Sequence, residues 1–79
     1  MITIKELLNK IKWDKRENPD GYRIYYYDRV LDKLIEVKYN DILDIEGLFA
    51  RIMHNGRKIE IPLHRIKQVR KKGKLIWER

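Results

Sequence analysis

The chain has 79 residues, which is enough for one domain with a thin core, and we expect a single domain over residues 1–79. The absence of cysteine and the presence of only two histidines argue against disulfides and zinc sites, and we expect no cofactor. The net charge is +7, no apolar run approaches the ~18 residues of a membrane span, and no signal-peptide pattern opens the chain, so we expect a cytoplasmic protein that does not contact membranes.

The first predicted element is an amphipathic helix over residues 3–12. Thr3 followed by Glu6 is a capping box, which marks a helix start. Trp13 and Asp14 follow the helix, and we expect Asp14 to pair with a basic side chain. One apolar stripe at helical spacing consists of Ile4, Leu7, Leu8 and Ile11.

A polar loop over residues 15–21 leads into a predicted hairpin with strands at 22–29 and 34–39. Alternation gives the first strand two faces, with Tyr22, Ile24 and Tyr26 on one of them. The opposite face combines Arg23, Tyr25, Tyr27 and Arg29. RNA-binding sheets stack bases on exposed aromatic rings beside Lys or Arg, so this second face suits RNA. Ordinary core packing is the alternative, and we place Tyr26 and Trp77 in the core and leave Trp13 open.

The segment 41–54 supports two interpretations. Four apolar residues fit a helical stripe: Ile42, Ile45, Phe49 and Ile52. Against a helix, Gly47 costs about 1 kcal/mol in a helix interior, and Asn55-Gly56 is a strong hairpin signal. We therefore favour a strand that ends near His54 and carries a bulge at Gly47.

The closing segment predicts three short strands, at 57–61, 67–71 and 74–78, with a turn over 63–66 and a connection at Lys72-Gly73. Pro62 ends the first of them because proline cannot donate to a sheet. Leu75 and Trp77 are predicted to share a face. The fold class is therefore α+β, with one N-terminal amphipathic helix packed on a mostly antiparallel sheet of hairpins.

The positive charge is concentrated at one end of the sequence. Residues 1–56 contain ten Lys or Arg and ten Asp or Glu, whereas residues 57–79 contain nine basic and two acidic residues. A localised basic face is typical of a protein that binds a polyanion, and it favours nucleic acid over a merely solvated surface. The nine bases are Arg57, Lys58, Arg65, Lys67, Arg70, Lys71, Lys72, Lys74 and Arg79.

His64 and Arg65 are candidate phosphate ligands because they stand side by side after a predicted strand end. Arg65 could fork onto two phosphate oxygens, and His64 could donate to phosphate or act as an acid or base. The alternative is a buried His64 beside a solvated Arg65. Hydrolysis of a cyclic phosphate usually needs two acid/base groups, and only His64 is a good candidate, so we expect no enzyme activity.

Other polar residues carry less information. The spacing of Asp14, Asp28, Asp41 and Asp44 matches no calcium loop and no two-metal pattern, so we expect no metal site. His54 lies beside a turn, and we expect it to be exposed and inert. The high content of charged residues fits a thermophile.

Several motifs together resemble a family of short, largely archaeal proteins of unknown function, described as an RNA cyclic-group end-recognition domain. In chain order they are Trp13-Asp14-Lys15-Arg16, Asn18-Pro19, Tyr27-Asp28-Arg29, Ile61-Pro62-Leu63-His64-Arg65-Ile66, Gly73 and Trp77-Glu78-Arg79. The resemblance covers the whole chain, with a looser match over 40–58.

The resemblance implies recognition of RNA 3′ ends that carry a 2′,3′-cyclic phosphate, in RNA repair or processing. It implies that His64 and Arg65 contact the terminal phosphate, and that Trp13, Asp14 and Arg79 complete the pocket. We expect the basic tail to follow the RNA backbone, with ligands at Lys67, Arg70, Lys71 and Lys72. The expected partners are RNA and RNA-processing or repair enzymes, and we expect a monomer. The alternatives are a phosphoesterase that uses His64 and a basic protein-interaction module.

Overall fold

The computed structural model describes residues 2–16 and 18–79, and it confirms the α+β class. The described residues form one helix and seven antiparallel strands: α1 Ile4–Trp13, β1 Tyr22–Asp28, β2 Lys33–Lys38, β3 Ile42–Glu46, β4 Phe49–His54, β5 Arg57–Pro62, β6 Ile66–Lys71 and β7 Lys74–Glu78. Short 3-10 turns lie at Pro19–Gly21, Tyr39–Asp41 and Leu63–Arg65. The polar loop predicted at 15–21 includes position 17, which lies outside the described residues.

The strands form two sheets rather than the one that we predicted. The four-stranded sheet has the order β2-β1-β6-β7, and the three-stranded sheet has the order β3-β4-β5. Both sheets contribute to one core, which includes Ile24 and Val69 from the first and Ala50 and Ile52 from the second. Burial of this apolar surface is the main force that holds two small sheets together.

Helix α1 begins as the capping box predicts, and its buried face forms part of the core. The Glu6 amide donates to Thr3 Oγ1 at 3.1 Å. The apolar stripe of α1 is buried as predicted. Two long-range hydrogen bonds fix its position: the Tyr39 hydroxyl donates to the Leu8 carbonyl at 3.0 Å, and Trp77 Nε1 donates to the Ile2 carbonyl at 2.9 Å.

The segment 41–54 is extended as we favoured, but the predicted bulge at Gly47 is wrong. Gly47 has φ +59° and lies in the turn of a hairpin between β3 and β4. Pairing places Ile42 opposite Ile52 and Ile45 opposite Ala50. Ile42 and Ile45 both pack against the core because the register of β3 shifts between Ile42 and Asp44. In β4 simple alternation holds, so Ile52 is buried and Phe49, three residues before it, is exposed.

Two predictions about single side chains are also wrong. Leu75 and Trp77 do not share a face, because the β6–β7 register shifts between them. Trp77 lies opposite Val69 and is buried, whereas Leu75 lies opposite Arg70 and is 41% exposed. A bulge adds one residue and so reverses the side on which the next residue points. His54, predicted to be exposed, is half-buried within β4.

Candidate nucleic-acid interface

The Leu63–Arg65 turn connects the two sheets and presents His64 and Arg65. Leu63 is buried and its amide donates to the Leu48 carbonyl at 2.8 Å. Ile66, the first residue of β6, is 2% exposed. With buried anchors on both sides, the turn leaves His64 exposed and Arg65 half-buried, which contradicts the alternative of a buried His64.

Arg65 lines a groove of about 210 Å³ between the end of β1 and strand β5. Its walls are residues 26–30 on one side and residues 59–62 on the other. Asp28 stabilises the turn after β1, because its carboxylate accepts hydrogen bonds from the Val30 and Leu31 amides at 2.9 and 3.1 Å. Arg65 is thus a half-buried cation at a small open groove, whose lining also holds Arg29 and the carboxylates Asp28 and Glu60.

Lys67 and Arg79 lie next to this turn. Lys67 has no partner residue on β1, because the register shifts between Tyr25 and Tyr26, and its ammonium donates to the His64 carbonyl at 3.3 Å. The Arg79 amide donates to the Lys67 carbonyl at 2.9 Å. The Arg79 guanidinium lies over the Trp77 ring, 5.5 Å from its centre. We call His64, Arg65 and Lys67 the Arg65 cluster.

The other predicted bases of β6 lie at its opposite end. The Arg70 guanidinium lies 5.5 Å from the centre of the Tyr25 ring and donates to Gln68 Oε1 at 3.2 and 3.3 Å. The Lys71 ammonium lies 5.6 Å from the Tyr22 ring centre. The predicted bases therefore form two groups, one at each end of the central strand β6.

Trp13 and Asp14 stand apart from the Arg65 cluster. Trp13 is 74% exposed, and the Lys12 ammonium lies 5.4 Å from its ring centre. Within the described ranges, no hydrogen bond, ion pair or ring contact joins Trp13 or Asp14 to His64 or Arg65. Neither Trp13 nor Asp14 is among the residues that line the Arg65 groove.

Asp14 forms a local turn with Arg16, as the predicted pairing with a base requires. Its carboxylate accepts from the Arg16 amide at 2.9 Å and from Arg16 Nε at 3.2 Å. These two hydrogen bonds hold the pKa of Asp14 below its usual value of 3.8, and the bond from the backbone amide has the larger effect. The loop after α1 is thus held in place next to an exposed indole.

The face of β1 that we considered for base stacking is already occupied. The Tyr25 hydroxyl donates to Glu36 at 3.3 Å while Arg70 covers its ring, and the Tyr27 hydroxyl donates to Asp32. The pKa of Tyr25 is raised mainly by burial and to a smaller extent by the nearby Glu36 carboxylate. Trp13 is the aromatic ring that is most accessible among the described side chains.

The basic excess of the closing segment is gathered mostly in one sheet. Arg57 and Lys58 open β5 in the three-stranded sheet, and the other seven bases lie on β6, on β7 or beside them. The ion pairs of the described residues involve Arg16, Arg23 and Arg51. None of these pairs engages a member of the Arg65 cluster.

Sequence reasoning placed Arg29 and Arg23 on the face of β1 that suits RNA, but it connected neither of them with the bases of the closing segment. Arg29, in the turn after β1, lines the same groove as Arg65. Arg23 lies directly opposite Arg70, so a base from the charge-balanced part of the chain joins the closing segment. The motif Tyr27-Asp28-Arg29 indicated the importance of Arg29. The position of Arg23 opposite Arg70 could be known only from the strand register.

Two further observations concern the described part of the chain. It contains no group of three or more His, Asp or Glu side chains arranged to hold a metal ion. Its helix is too short to cross a bilayer.

Comparison with known proteins shows which proteins this chain is similar to. Its curated relatives are named UPF0248 proteins. One from Saccharolobus islandicus (strain M.14.25 / Kamchatka #1) is 32% identical over 81 residues, which covers 99% of this chain and all of the relative. One from Saccharolobus solfataricus is also 32% identical over 81 residues, covering 99% of this chain and 98% of the relative. One from Metallosphaera sedula is 31% identical over 78 residues, covering 99% and 94%.

No solved structure matches the chain significantly. The family model described as the MJ1316 RNA cyclic group end recognition domain matches residues 1–79, the same full extent over which the archaeal relatives align. The resemblance carried by the sequence motifs is thereby confirmed, and the chain belongs to this family.

Proposed function

We propose that this domain binds the 3′ end of single-stranded RNA that carries a 2′,3′-cyclic phosphate, in RNA repair or processing. One observation carries the proposal: Arg65 lies half-buried at a groove of about 210 Å³, on a turn held by buried Leu63 and Ile66. The family description, which names RNA cyclic group end recognition, supports the same ligand.

The chemistry of the ligand fits the groove. A cyclic phosphate has two non-bridging oxygens, which a guanidinium fork can contact together. Pockets for drug-sized ligands run from about 300 to 1,000 Å³, so the Arg65 groove suits a group as small as a terminal sugar phosphate. His64 and Lys67 supply further donors beside it.

The remaining predicted ligands act away from the end. Arg70, Lys71 and Lys72 follow the RNA backbone, and Trp13 offers its exposed ring to a base farther along the strand. Asp14 keeps the Trp13 loop in position through its turn with Arg16. The expected partners are RNA-processing or repair enzymes that act on the bound end.

Binding without catalysis is the function that we favour. Two carboxylates line the groove: Asp28, whose Oδ1 accepts two backbone hydrogen bonds, and Glu60. His64, the candidate acid/base group, lies on the turn beside the groove. Incubation of the protein with a cyclic-phosphate oligonucleotide should return the oligonucleotide unchanged. Turnover that His64→Ala abolishes would assign a phosphoesterase instead.

The proposal is tested by titrating short RNAs of one sequence that end in cyclic phosphate, in 3′-phosphate or in hydroxyl, with fluorescence anisotropy as the readout. We expect the cyclic-phosphate RNA to bind at least tenfold more tightly than the hydroxyl RNA. Charged hydrogen bonds contribute about 1.5–3 kcal/mol, so Arg65→Ala should weaken the cyclic-phosphate complex by roughly 10- to 100-fold.

Arg57→Ala is the matched control, because it removes the same charge from an exposed position of the other sheet. It should change affinity by less than about twofold. Equal affinities for the three RNA ends would contradict end recognition. Absence of any RNA binding at physiological salt, together with retention of a specific protein, would favour a protein-interaction module.

A further inference from the structure

A row of three cations crosses the outer face of the four-stranded sheet. Lys38 on β2 lies opposite Arg23 on β1, and Arg23 lies opposite Arg70 on β6. Neighbouring strands are about 4.8 Å apart, so the backbones of the three residues span about 10 Å. Like charges directly opposite each other destabilise a sheet. Local contacts offset this in part, because Arg23 Nη1 donates to the Asp20 and Tyr22 carbonyls at 2.8 and 3.0 Å and Arg70 covers the Tyr25 ring.

The nearby carboxylates neutralise only part of the row. Glu36 accepts from the Tyr25 hydroxyl and pairs with Arg23 at 3.6 Å, and Asp20 accepts from the Asn40 side-chain amide. Among the described residues, no carboxylate pairs with Arg70 or Lys38. The charge that remains on the row is positive.

A shallow depression of about 370 Å³ adjoins the row. It is lined by three cations, Arg23, Arg70 and Lys72, by two carboxylates, Asp20 and Glu36, and by Tyr25, Gly21 and Gly73. The Lys72 side chain packs along Gly21, where an added Cβ would lie 3.3 Å from Lys72 Cγ. Lys72 is thereby held at the depression, where it adds a fourth cation to the row.

We infer that the cationic row binds an internal backbone phosphate of the same RNA strand whose end lies at Arg65, an inference that rests on the proposed function. Ile66 and Arg70 are four residues apart along β6, or about 13 Å. At about 3.4 Å per stacked nucleotide, this distance corresponds to roughly four nucleotides. The two ends of β6 thus set a minimum RNA length for full affinity.

The test compares a two-nucleotide and a six-nucleotide RNA, both ending in cyclic phosphate, with the wild type and with Lys38→Gln/Arg70→Gln. The wild type should bind the longer RNA at least tenfold more tightly, and the double variant should lose that gain. Its affinity for the shorter RNA should stay within twofold, which also shows that it folds. The slope of log affinity against log salt should become shallower by about 0.7 for each phosphate that the double variant no longer neutralises.

The matched control is Arg57→Gln/Lys58→Gln, which removes the same charge from the three-stranded sheet. An equal loss in this control would overturn the inference, because net charge alone would then explain it. Equal weakening of both RNA lengths would also overturn it. So would displacement of the longer RNA by a polyglutamate peptide at a lower concentration than an unlabelled RNA of equal charge.

The same experiments distinguish a failure of the proposed function from a failure of this inference. Wild-type protein that binds hydroxyl and cyclic-phosphate ends equally contradicts end recognition. A length-dependent gain that Lys38→Gln/Arg70→Gln removes would still support the cationic row in that case.

Discussion

Asp14 shows how one short-range contact organises the region around an exposed aromatic residue. The carboxylate closes a turn with Arg16 directly after α1, and it fixes the loop beside Trp13. The pairing of Asp14 with a base was predictable from the neighbouring residues. The isolation of Trp13 from Arg65 was not, because it depends on where α1 lies against both sheets.

The lowered pKa of Asp14 predicts a pH-dependent contribution to stability. Because the folded state favours the ionised carboxylate, the contribution is present above the usual pKa of 3.8 and is lost as the pH falls through the lowered value. Thermal unfolding followed from about pH 7 to about pH 2 should show Asp14→Ala less stable than wild type at neutral pH. The two curves should converge in acid.

Asp14→Asn is the control for charge, since its side-chain oxygen can still accept from the Arg16 amide. It should lack the acid-dependent part of the difference. A gap between wild type and Asp14→Ala that persists unchanged at the lowest pH would contradict the assignment.

At the scale of elements, the β6–β7 hairpin combines a strained turn with predicted RNA ligands. Lys72 has φ +50° and Gly73 has φ +81°. The left-handed region costs a side chain such as lysine roughly 1–2 kcal/mol, and asparagine tolerates it better. Contacts with Gly21 help to hold Lys72 in this conformation, because its amide donates to the Gly21 carbonyl at 2.8 Å and its side chain packs along that glycine.

Lys72→Asn should raise the free energy of unfolding by about 0.5–1 kcal/mol and weaken binding of the longer RNA. Urea denaturation measures the first effect and anisotropy the second. Asp32→Asn is the comparison, because Asp32 is the other non-glycine residue with positive φ in the turns of the four-stranded sheet. Lower stability of Lys72→Asn would show that lysine serves the turn itself.

The segment 41–54 shows how much of a structure local sequence signals can predict. The Asn55-Gly56 turn was correctly predicted, with φ +52° and +77°. The turn at Gly47 was not, because one glycine fits a bulge and a turn equally well. Pairing of β3 with β4 decided between them, by burying Ile52 and Ala50 in the second sheet.

For the whole molecule, Trp77 connects the parts of a thin core. Its ring is buried opposite Val69, and its Nε1 donates to the Ile2 carbonyl, which joins the two ends of the chain. A small domain is only marginally stable, about 5–15 kcal/mol at most. One such side chain therefore accounts for a large share of stability.

Trp77→Ala should lower the free energy of unfolding by about 3–5 kcal/mol, because it leaves a cavity and an unsatisfied carbonyl. Trp13→Ala, the matched change at an exposed tryptophan, should alter it by no more than about 0.5 kcal/mol. Urea denaturation measures both. Similar losses for the two variants would contradict the placement of Trp77 as the structural residue.

The amino-acid sequence alone determined the features that rest on neighbours in the chain. The capping box at Thr3, the inward face of β1 and the concentration of charge after residue 56 follow from local chemistry and alternation. Tertiary structure alone decided the second sheet, the exposure of Leu75 and the alignment of Arg23 with Arg70. These depend on which strands pair and in what register, and a one-residue shift in register reverses every side chain beyond it.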